Sequence, residues 1–107
     1  MGIHRVYAIV VKLPSRLNRR SFIRDLKAFL SDYETIVGYF KHNDCLMAVL
    51  NDINDFKTIY NILRYRGYEA KKIEEMFVTD ECYERLKNDK SRERRFMCWL
   101  RNLFPLW

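Results

Sequence analysis

The chain has 107 residues, three cysteines and a formal net charge of +6 at pH 7. Apolar residues make up 49% of it and charged residues 32%, a globular mixture that excludes a disordered or low-complexity chain. No apolar run approaches the roughly 18 residues needed to cross a bilayer, and at this length a single domain can bury roughly two thirds of its unfolded surface without help from a metal or disulfides.

Cys45, Cys82 and Cys98 are an odd number and form no CxxC pair, which points to free thiols and a cytoplasmic protein. Residues 1–16 lack the basic leader and small-residue cleavage site of a signal peptide. The absence of Gln beside abundant Lys, Arg, Glu, Ile and Tyr leans toward a thermophile-like composition.

In chain order, VYAIVVKL (6–13) is a β-branched apolar run stopped by Pro14, and reads as a strand apolar on both faces. Ser15 or Asn18 is then placed to cap a helix. From 19 to 33 the apolar residues Phe22, Leu26, Phe29, Leu30 and Tyr33 fall at helical spacing. TIVGYFKH (35–42) reads as a second strand. HNDC is a hairpin turn, since Asn43 and Asp44 tolerate the left-handed backbone such turns need, and CLMAVL (45–50) is a third strand.

Asn51 or Asp52 can cap a second helix whose buried face is Phe56, Ile59, Tyr60 and Leu63, with Gly67 just past its end. YEAKKIEEMFVTD (68–80) reads as a fourth, charged strand. The order β-α-β-β-α-β is the ferredoxin-like α+β arrangement, a four-stranded antiparallel sheet with strands one and three central and two and four at the edges. The two doubly apolar strands are the first and third, and the fourth carries the charge that discourages edge pairing.

Both helices of such a fold cover one face, so residues 1–80 are expected to form a core with a second apolar face in need of a cover. Residues 81–107 are expected to supply it as a C-terminal helical extension. Thr79 or Asp80 caps a short helix through Leu86. KNDKSRERR (87–95) follows with no apolar side chain. A last helix capped by Ser91 then sets Phe96, Trp99, Leu100, Leu103 and Trp107 on one side, to pack on this sheet or on a second copy in a homodimer.

Residues 1–50 carry eight basic and four acidic groups, and residues 81–107 seven and four. Arg16, Arg19, Arg20, Arg24 and Lys27 crowd the first helix, with Arg20, Arg24 and Lys27 at i, i+4 and i+7 on one stripe. Basic groups near a helix N-terminus oppose its dipole, a local cost that a bound phosphate would relieve. Arg92, Arg94 and Arg95 extend the basic footprint in the tail. The third strand lacks the exposed aromatics on which RNA-recognition sheets stack bases, so phosphate contact rather than base readout is expected.

His42, Asp44 and Cys45 sit together at the hairpin, but turn and strand packing explain them without a metal or a nucleophile. The sequence thus predicts a non-enzymatic nucleic-acid-binding protein with no catalytic residue, no cofactor and no metal. A protein–protein adaptor or inhibitor is the alternative, and a peripheral membrane protein, anchored through the basic aromatic tail, ranks below both.

Overall fold

A computed structural model of the chain describes residues 2–42, 44–88, 90 and 93–95, with the backbone alone at 42 and 93–95. Phe96, Trp99, Leu100, Leu103, Trp107, Arg92 and Cys98 lie outside the described residues. The elements are β1 (Ile3–Lys12), α1 (Arg16–Leu30), β2 (Ile36–His42), β3 (Cys45–Leu50), α2 (Ile53–Tyr65), β4 (Ala70–Thr79), α3 (Asp80–Asn88) and β5 (Glu93–Arg95).

The fold is α+β. Four antiparallel strands run in the order β4-β1-β3-β2, and β5 adds a short parallel strand beyond β2. The expected strand order and the central position of β1 and β3 are present. Two expectations need correction. β2 is not an edge, because β5 pairs with it, Tyr39 opposite Glu93 and Lys41 opposite Arg95. The extension is not helical throughout, because 93–95 is extended. An edge strand supplies hydrogen-bond partners that a short polar segment takes up more readily than it nucleates a helix.

Local chemistry accounts for the helix limits. Asp52 caps α2, its Oδ2 accepting from the Asp55 N–H at 2.8 Å. Gly67 follows α2 at φ 92°, the left-handed backbone that glycine adopts without a Cβ penalty. Thr79 Oγ1 accepts from the Cys82 N–H at 3.2 Å and so caps α3. α1 begins at Arg16, three residues before the apolar periodicity does, and it buries Ile23, Leu26 and Leu30. Phe22, Phe29 and Tyr33, expected at its core face, pack half-buried at the margin.

Each sheet face has its own core. On one, Ile9, Val11, Tyr39, Leu46, Ala48 and Leu50 meet Leu26 and Leu30 of α1 and Phe56, Ile59 and Leu63 of α2. On the other, Val6, Ala8, Val10, Phe40, Met47, Val49, Met76 and Val78 meet Cys82 and Leu86 of α3. The second apolar face is therefore real, and among the described residues its cover is α3. The helix comes close enough that a Cβ on Gly38 would sit 3.0 Å from Leu86 Cβ and 3.1 Å from its carbonyl oxygen. Glycine in β2 is what lets α3 seat.

Candidate functional site

The site begins with how α1 starts. Ser15 occupies the N-cap position at φ −57° and ψ 160°, but its side chain makes no cap hydrogen bond, and the first turn holds no acid. The Asn18 N–H donates to the Ser15 carbonyl at 3.1 Å, and no first-turn carboxylate offsets the positive end of the helix dipole.

α1 runs antiparallel to β2 along the β2–β5 side of the sheet, as the pairing of Arg19 with Asp44 at one end and of Lys27 with Tyr39 at the other requires. Between them lies an open groove of about 820 Å³ lined by Arg16, Arg19, Arg20, Ile23, Arg24, Lys27 and Lys41. Six of its seven lining residues are cations. All five basic residues singled out on the first helix converge here.

The cations are held to different degrees. Arg19 is pinned. Its guanidinium donates to the Pro14 carbonyl at 3.1 and 3.3 Å and to Asp44 Oδ1 at 2.8 Å, and its side chain is only 17% exposed. Lys27 Nζ sits 5.3 Å from the centroid of the buried Tyr39 ring. Arg24 meets Asp25 at 3.6 Å, both well exposed, a pairing that adds little in water. Among the described residues, no carboxylate pairs with Arg16, Arg20 or Lys41. Like charges gathered on one concave surface raise the local anion concentration and favour a polyanion over an isolated ion.

Arg94 and Arg95 stand in β5 opposite Phe40 and Lys41, so the backbone brings this part of the tail to the same edge as the groove. Lys41 is the residue the sequence reading missed. It is the lone cation of an otherwise apolar strand run, and only the packing of β2 beside α1 joins it to the stripe. A second depression of about 680 Å³, between β1 and the α2–β4 turn, mixes Lys12 and Arg66 with Glu69 and apolar residues. Lys12 and Glu69 approach to 3.9 Å there, which offsets its charge.

The hairpin carries no reactive pair among the described groups. Burial pushes the half-buried Cys45 thiol above its ordinary value, and the Asp44 carboxylate adds to this, against smaller opposing effects of Lys12, Lys71 and Arg19. Such a thiol stays protonated at neutral pH and is a poor nucleophile. Asp44 is turned to Arg19. Among the described residues no three His, Cys, Asp or Glu side chains gather as a metal would require, and no helix is long and apolar enough to cross a membrane. No family model, curated protein or solved structure matches the chain.

Proposed function

We propose that this chain is a ferredoxin-like, non-enzymatic binding protein of the cytoplasm that takes a nucleic-acid backbone into the α1–β2 groove. One observation carries the reading: six cations from two elements line one open groove, and among the described residues no carboxylate pairs with Arg16, Arg20 or Lys41. A phosphodiester backbone matches that surface, because it presents repeated anions along a line and releases counterions when cations neutralise them. The unopposed α1 dipole supports the same ligand. Arg16, Arg20, Arg24 and Lys41 contact phosphates, Arg19 holds the hairpin against α1, and Arg94 and Arg95 extend the basic edge.

Fluorescence anisotropy with labelled oligonucleotides at low and physiological salt tests the proposal. The expected result is binding that weakens steeply as salt rises. No binding at low salt, or binding indifferent to salt, overturns it.

A further inference from the structure

The basic groove does not end at Lys27. A smaller socket of about 340 Å³ continues from it along α1, lined by Lys27, Ala28, Ser31, Tyr39 and Lys90. Lys27 belongs to both. From Arg16 to Ser31 the α1 backbone rises about 22 Å, so groove and socket form one lane, cationic at the helix start and more apolar at its end.

The socket's chemistry differs from the groove's. Ala28 and the stem of Lys27 give it apolar walls, with the buried Tyr39 at its base. The Ser31 hydroxyl donates to the Ala28 carbonyl at 2.9 Å, which leaves its oxygen to accept. Lys90 Nζ donates to the Glu34 carbonyl at 3.3 Å, which anchors it at the rim with hydrogens to spare. A flat ring with polar edges suits such a site, and a phosphate does not.

We infer that the socket receives one unpaired nucleobase of a strand whose phosphates lie in the groove, so that the protein selects single-stranded over duplex nucleic acid. This rests on the phosphate-binding reading of the groove. Continuity through Lys27 is the argument for the occupant: a strand neutralised by Arg20 and Arg24 passes the socket mouth. A base held in a duplex cannot enter without leaving its stack and its partner, which costs free energy that a single strand does not spend. A sequence-tolerant combination of a cationic lane with a site for a base face is how single strands are held without base readout.

Anisotropy is measured for a labelled single strand, for a strand of the same length with abasic sites throughout, and for the duplex, each with wild type, Ala28→Leu and Arg20→Ala/Arg24→Ala. Leu is a good helix former and fills the socket from an exposed position. The single strand is expected to bind about tenfold tighter than the abasic strand or the duplex, and Ala28→Leu to remove that advantage while leaving the other two probes unchanged. If all three probes bind alike and Arg20→Ala/Arg24→Ala weakens all of them, the groove stands and the socket assignment fails. Full retention of the single-strand advantage in Ala28→Leu also overturns it. Absence of binding by every probe at low salt removes the groove reading, and the socket with it. The abasic strand decides the question on wild-type protein even if the variant folds poorly.

Discussion

Replacing Arg20 and Arg24 together with Ala removes two of the groove's cations with little risk to the fold. Both residues are exposed and lie outside the two cores, and Ala is the strongest helix former. Six cations line the groove; Arg16, Arg20, Arg24 and Lys41 are the ones assigned to phosphates, so about four contacts are available. At about −0.7 per contact for a single strand, log K against log salt has a slope of about −2.8, a loss of roughly 50-fold between about 50 and 200 mM salt. With about two contacts left, the slope falls to about −1.4 and the loss over the same interval to roughly 7-fold. The variant's deficit is therefore largest at low salt, where screening is weakest. Anisotropy titrations of one labelled strand across a salt series measure both slopes, with circular dichroism to confirm the fold. A variant slope equal to the wild-type slope refutes the assignment of phosphates to this groove, whatever the absolute affinities.

Three further outcomes follow from the packing and the site. Gly38→Ala drives a methyl group to within 3.0 Å of Leu86 and is expected to destabilise by about 1–3 kcal/mol, seen as a lowered Tm, because α3 must lift from its face. Asp52→Ala removes the α2 cap and is expected to cost about 1 kcal/mol in denaturant unfolding. The folded Cys45 pKa is raised, so the native state holds its proton more tightly than the unfolded chain. This contribution to stability is complete below the unfolded thiol pKa and is lost as pH rises through the folded one. Alkylation of Cys45 at neutral pH, followed by mass spectrometry of native protein, is accordingly expected to be slower than that of a free peptide thiol and to accelerate only in alkaline buffer.

The parts of the fold legible in the sequence are those with strong local signals. VYAIVVKL and CLMAVL are apolar on both faces, which marks central strands, and β1 and β3 are central. Asp52 and Gly67 mark the ends of α2 through chemistry contained in a few residues. β5 was not legible because Glu93, Arg94 and Arg95 have no apolar periodicity; their extended state comes from an open edge on β2, far away in sequence. The cover of the second face is expected from residues 81–107; α3, at the start of that stretch, buries Cys82 and Leu86 there, and the aromatic segment lies outside the described residues. Two buried side chains in nine residues are a weak periodic signal. Gly38 lets them approach the sheet closely. In the site, the stripe on α1 was visible from spacing alone, whereas Lys41 and Lys90 join it only through tertiary packing.

Nuclear magnetic resonance of labelled protein titrated with a single-stranded oligonucleotide at low salt tests the central claim most directly. The account predicts that the largest shifts fall on the backbone amides of residues 16–27 and Lys41 and on the guanidinium Nε–H signals of Arg20 and Arg24, with α2 and β4 little changed. Shifts concentrated on α2 or β4, with α1 unmoved, would contradict it.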